Sequence, residues 1–202
     1  MSFSIEQLKL TIRGLETLAA VSPKRDAFVG ACEQLGWLLG CADNLVIEFD
    51  TPCASPFLVD LCEGDFVAGG FIALHFLEWD KYEGTSVGSE NSKAFFDVKY
   101  FETVSIVGTL LGKPDSTIVE AQTCQQSAVW KRQNAYIFVL QGADDIEGID
   151  IRLWLEYFDG NDILPDSQVF DWLCRRHLSE IELLIEAQPN NSKTPPFEAS
   201  DL

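Results

Sequence analysis

The chain has 202 residues, 47% of them hydrophobic and 11% aromatic, and a formal charge of -18 from 32 Asp and Glu against 14 Lys and Arg. That apolar content excludes a disordered acidic tail, and the length is enough for one sizeable core. The charge argues against partners with anionic backbones or surfaces, so neither nucleic acid nor membrane is expected, and a basic protein partner is favoured.

Met1 to Glu6 lacks a basic segment followed by an apolar run. No signal peptide is expected, and the predicted compartment is the cytoplasm. There a chain keeps its cysteines reduced. The six, Cys32, Cys41, Cys53, Cys62, Cys124 and Cys174, form no C-x-x-C pair and read as small core residues. No metal site and no cofactor are predicted.

In chain order, Ser4 to Gln7 fits a capping box, and Ile5, Leu8, Ile12, Leu15 and Ala19 share a helical face. Ser22-Pro23 reads as the start of a second helix, with Phe28, Cys32, Leu35 and Leu39 as its stripe and Gly40 as its C-terminal cap. The two predict an N-terminal helical hairpin. Alternation at Leu45, Ile47 and Phe49 predicts a strand, and Pro52 and Pro56 interrupt the chain. Phe66 to Trp79 reads as a strand with a bulge or bend at Gly69-Gly70, and Lys81 to Ser92 as a loop.

From Ser92 to Leu111 the spacing of Phe96, Tyr100, Val104, Val107 and Leu111 predicts a helix, stopped by Gly112-Lys113-Pro114. Three strands are predicted next, over Thr117 to Cys124, Ala128 to Gln141 and Asp150 to Phe158. Lys131 to Asn134 is either a turn within the middle segment or part of a continuous strand. In the last strand Ile151, Leu153, Leu155 and Tyr157 point to the core, while Arg152, Trp154 and Glu156 point to a partly wet face. Pro165 to Ser167 starts a closing helix.

The fold class expected is α+β: a mostly antiparallel sheet with helices packed on one face, an N-terminal helical hairpin and a C-terminal helix. Residues 1–187 make a single globular domain and 188–202 a disordered tail.

No catalytic motif stands out. G-x-S-x-G, P-loop, G-x-G-x-x-G and H-E-x-x-H patterns are missing, and the two histidines read as a core or sheet-face residue (His75) and the edge of a buried helix face (His177). No catalytic residue is assigned. The acids are unevenly placed, however. Gln141 to Asp171 holds nine carboxylates and a single base, Arg152. The predicted partner-binding set is Asp144, Asp145, Glu147, Asp150, Trp154, Asp159 and Asp162, with Trp154 as an exposed aromatic anchor among steering charges. The plainer reading is solvated loops and helix N-termini. Asp144 to Gly148 lacks the alternating ligands of an EF-hand loop, which leaves calcium little support.

Ala94-Phe95-Phe96, Tyr100, Val104, Val107 and Leu110 to Pro114 are followed by Val129 to Arg132, Ile137 to Gln141 and Ile151 to Leu155. This layout, over about residues 92–158, resembles small cytoplasmic immunity proteins of bacterial polymorphic toxin systems. The resemblance implies a non-enzymatic inhibitor of one cognate toxin and assigns no residue roles. With the charge, it leads to an expected immunity or inhibitor protein that neutralises a cationic toxin, a nuclease being one such target. The alternatives are a small cytoplasmic enzyme with a carboxylate- or Cys-lined cleft, and a DNA-mimic adaptor.

Overall fold

The computed structural model describes residues 3–43, 45–62, 64–76, 90–120, 125–144 and 148–158. Three helices, α1 (Ile5–Leu18), α2 (Arg25–Gln34) and α3 (Glu90–Leu111), accompany eight strands. These are β1 (Leu38–Ala42), β2 (Val46–Asp50), β3 (Pro56–Cys62), β4 (Phe66–Ala73), β5 (Ser116–Glu120), β6 (Gln125–Lys131), β7 (Ala135–Asp144) and β8 (Gly148–Tyr157). They form one sheet in the order β1-β2-β3-β4-β8-β7-β6-β5, with every pairing antiparallel. The fold is α+β. The predicted C-terminal helix and tail lie outside the described residues.

The capping box of α1 forms as its residues dictate. Ser4 Oγ accepts the Gln7 amide at 3.2 Å, and the Gln7 side chain accepts the Ser4 amide at 2.7 Å. Leu8, Ile12, Leu15 and Ala19 are buried, whereas Ile5 is exposed.

The second helix departs from the reading at both ends. Residues 23–25 are held extended against the start of β4: Val67 N–H donates to the Pro23 carbonyl, Arg25 N–H to the Asp65 carbonyl, and Lys24 bridges Phe66. The helix therefore begins at Arg25, with no side-chain cap from Lys24. It ends at Gly36 instead of Gly40. Gly36 has φ +74°, its N–H donates to Glu33, and Trp37 N–H reaches back to Cys32, which is the Schellman arrangement. Leu39 and Gly40 consequently belong to β1, an edge strand that the helical reading of this segment missed. β3 was missed too, although Pro56 sits at its first residue, where a strand tolerates proline.

The middle segment splits into β6 and β7. Arg132 N–H donates to the Ala135 carbonyl across the turn. The Asn134 side chain donates to the carbonyls of Ala20 and Val21 at 3.2 and 3.3 Å, tying that turn to the end of α1. α3 ends at the predicted stop, where Trp130 Nε1 donates to the Gly112 carbonyl at 2.9 Å and Arg132 to the Leu111 carbonyl at 2.8 Å.

All three helices contribute to one apolar cluster, which also takes alternate strand residues such as Phe49, Phe57, Ile72, Ile137, Val139 and Leu153. The opposite side of the sheet carries a second cluster built from strands: Val129, Tyr136, Phe138, Leu140 and Trp154, with Phe71, Ile118 and Phe158 against it. The face read as partly wet is therefore largely buried. β7 shows why: Tyr136 to Leu140 are apolar at every position, the pattern of a strand covered on both sides.

Candidate functional site

β4 and β8 lie at the centre of the sheet, and their register places Phe71 opposite Trp154 and Gly69 opposite Glu156. On the other side of β8, Phe138 faces Trp154 and Tyr136 faces Glu156. Side chains at alternate positions of β8 then form a continuous ladder. Arg152 Nε donates to the Asp150 carboxylate, and its guanidinium lies 4.9 Å from the centre of the Phe71 ring. Phe71 stacks on Trp154 with centroids 5.0 Å apart and an interplanar angle of 27°. Trp154 Nε1 donates to Glu156 Oε2 at 3.3 Å. The run from Asp150 to Glu156 thus sets an ion pair, a ring stack and a carboxylate in sequence, with contacts that lower the cost of burying the charged groups.

Space for the Glu156 carboxylate comes from Gly69. A side chain there would collide with that carboxylate and with the Leu155 carbonyl. The register shift between β3 and β4 falls just before, with Asp60 paired to Gly69 and Leu61 to Val67. Gly69 and Gly70 were read as a bulge or bend. The irregularity lies at Ala68, and the glycines provide close approach.

Trp154 is 3% exposed, Asp150 8% and Glu156 fully buried. The expectation of an exposed Trp154 anchor is corrected: the ring is held between Phe71 and Phe138 by the register. Asp150 is committed to Arg152. Asp144 is the last residue of β7, paired with Gly148. Asp145, Glu147, Asp159 and Asp162 lie outside the described residues, as does His177.

Two arrangements had no counterpart in the sequence reading. The first is a polar node under α3. Asp97 Oδ1 accepts from Gln126 Nε2 at 2.7 Å and Gln141 Nε2 at 2.9 Å, and Asp97 Oδ2 pairs with Lys93 at 2.6 Å. Both glutamines are buried. A polar side chain in the middle of an apolar strand run, as Gln141 is, was the signal available.

The second is a cavity of about 900 Å³ between the first turn of α1, the outer side of α3 and the end of β4. Phe3 meets Phe76 edge-to-face at 5.4 Å, and the Lys99 ammonium lies 5.8 and 5.9 Å from the Phe76 and Phe95 ring centres. His75, exposed, lines the same cavity. The off-stripe residues Phe95, Val98 and Phe101 were the sequence signal, since they make α3 apolar beyond its buried face.

Burial pushes the Cys32 thiol up to about 12 and the Cys53 thiol up to about 11, so both stay protonated at neutral pH. Among the described residues, no group of three or more His, Cys, Asp and Glu is placed to hold a metal ion. No helix among them is long and apolar enough to cross a membrane.

No protein-family model matches the chain. No curated protein matches it either. Among solved structures, it is similar to the crystal structure of a DUF4309 family protein (YjgB) from Bacillus subtilis, at 10% identity and a TM-score of 0.38, covering 77% of this chain and 98% of that one.

Proposed function

We propose that this chain is a binding protein for a cationic protein partner, acting in the cytoplasm as an immunity-type inhibitor of a basic toxin such as a nuclease. One observation carries the reading. The segment Gln141 to Asp171 has nine carboxylates and one base, and that base, Arg152, is drawn inward by Asp150 and Phe71. A field of that sign attracts a cationic partner and raises its association rate. Asp150 and Trp154 act here by shaping β8, and the steering falls to Asp144, Asp145, Glu147, Asp159 and Asp162.

The test is a pull-down from the native host at low salt, repeated with those five residues reversed to Lys. The reading expects one basic protein, captured less at high salt and less by the reversed chain. Retention of the same partner by both chains with the same salt dependence sinks it.

A further inference from the structure

We infer that the second face of the sheet is a docking surface used within the chain, and that its occupant is the C-terminal segment read as the closing helix, residues 165–187. No partner protein is involved, so the inference stands apart from the proposed function.

The face is covered in a single chain, and the described elements do not cover it. Val129 and Phe138 are fully buried there, and Tyr136, Leu140 and Trp154 nearly so. A sheet face without a second layer leaves such side chains partly in water. All three described helices pack into the first cluster, on the opposite side. The cover therefore comes from another part of the same chain.

Position and length select which part. Phe158 already lies on this face: it packs against the second cluster, with its ring centre 4.9 Å from that of Tyr136. Residues 159–202 continue from that point. The connection 77–89 instead runs between Phe76 and α3, which both pack against the first cluster. Residues 121–124 and 145–147 join paired neighbouring strands and are too short to form a layer. As a helix, Phe170 to Leu184 would extend about 21 Å at about 1.5 Å per residue. The strands from β5 to β3 span about 24 Å at about 4.8 Å between neighbours. The apolar stripe Phe170, Leu173, Leu178, Ile181 and Leu184 thus matches the width of the face.

Charge selects the same segment. Asp60, Gly69 and Glu156 lie side by side across β3, β4 and β8, with no side chain between the two carboxylates. Alternation turns Asp60 onto this face, since Phe57 and Val59 belong to the first cluster. Arg152 on this face is drawn to Asp150, and Lys131 lies over the Tyr136 and Phe158 rings. Burying a carboxylate such as Glu156 favours a cation close by. The closing segment brings three bases together, Arg175, Arg176 and His177, with His177 inside its apolar stripe.

The test uses the full chain with Ser127→Cys as a thiol reporter on this face, where Ser127 is buried and pairs with Leu140. Iodoacetamide labelling at pH 7.5 is followed by mass spectrometry, with Cys32 and Cys53 of the first cluster as internal standards. The reporter is expected to label as slowly as those two. Leu173→Asp with Leu178→Asp is expected to speed it by about tenfold or more while Cys32 and Cys53 stay slow, and the milder Leu178→Ala should act in the same direction. Arg175→Gln with Arg176→Gln should also speed it. In a second measurement, p-benzoylphenylalanine in place of Leu178 is expected to cross-link within one chain to β4, β6, β7 or β8. Cross-links that join two chains, or that reach only α1, α2 or α3, overturn the inference. So does reporter labelling that neither Leu178 variant speeds, or that never runs ahead of Cys32 and Cys53.

Discussion

The phenol of Tyr157, at the end of β8, donates to the carbonyl of Leu18, in the last turn of α1, at 2.6 Å. The bond is buried and joins residues 139 positions apart. The same ring meets Phe28 of α2 edge-to-face at 6.1 Å. One side chain thus fastens the last described strand to both N-terminal helices.

Tyr157→Phe keeps the ring and removes the donor. The Leu18 carbonyl keeps the Val21 amide at 2.9 Å, so the loss is that of one hydrogen bond and is expected to lower stability by about 0.5–1.5 kcal/mol in urea unfolding. An unchanged midpoint would show that the bond contributes nothing.

Burial raises the Tyr157 and Tyr100 phenols above the ordinary value of 10.0. A raised folded value means that stability is intact below pH 10 and falls as pH climbs beyond it, because the unfolded chain loses its phenolic protons first. Urea midpoints measured from pH 8 to 11 should decline, and the decline should be shallower in Tyr157→Phe.

Trp154→Ala removes a ring held between Phe71 and Phe138, and is expected to cost about 3–5 kcal/mol. Trp154→Phe should cost less, since it retains the stack on Phe71 and loses the donor to Glu156. A Trp154→Ala chain with the midpoint of the parent would place the ring at the surface instead of in the second cluster.

The four described cysteines should separate by reactivity. Cys41 is exposed and Cys62 half-buried, whereas Cys32 and Cys53 are buried with raised thiol values. Brief alkylation with iodoacetamide at pH 7.5, mapped by mass spectrometry, should label Cys41 first. Cys32 and Cys53 should label only after unfolding. Early labelling of Cys32 would contradict the packing of α2.

Asp43 shapes the β1–β2 turn: its Oδ1 accepts the amides of Leu45 and Val46, both at 2.7 Å. Those bonds hold its carboxyl below the ordinary 3.8. The stabilisation is present above pH 3.8 and fades as pH falls toward the lowered value. Asp43→Ala should therefore lower the urea midpoint at pH 7, and the gap to the parent should narrow by pH 2.5.

Local rules carried the sequence reading where one residue decides the outcome. Ser4 with Gln7 capped α1, Gly112 ended α3, and the period-two alternation of β8 was correct. The reading failed where a distant segment decided. Pro23 to Arg25 look like a helix start until Asp65 and Val67 claim their backbone groups. Gly36 and Gly40 are equally plausible stops, and only pairing with β2 makes Leu38 to Ala42 a strand. Trp154 looked exposed because β8 was read alone. Its neighbours Phe71 and Phe138 come from other strands, and the register that joins them is not written in β8. The acidic excess was legible in full, while the cavity needed α1, α3 and β4 to be brought together.

The β4–β8 seam also governs the order of assembly. Strands β1 to β4 pair with their sequence neighbours, and so do β5 to β8, so each set can form from short-range closures. The seam, from Gly69 with Glu156 to Ala73 with Arg152, instead joins positions roughly eighty residues apart, the kind of closure that slows folding. Until it closes, each half exposes a bare central strand edge, open to pairing with another copy of the chain. Faster closure of the seam, relative to encounter between copies, therefore favours the native pairing over pairing between chains.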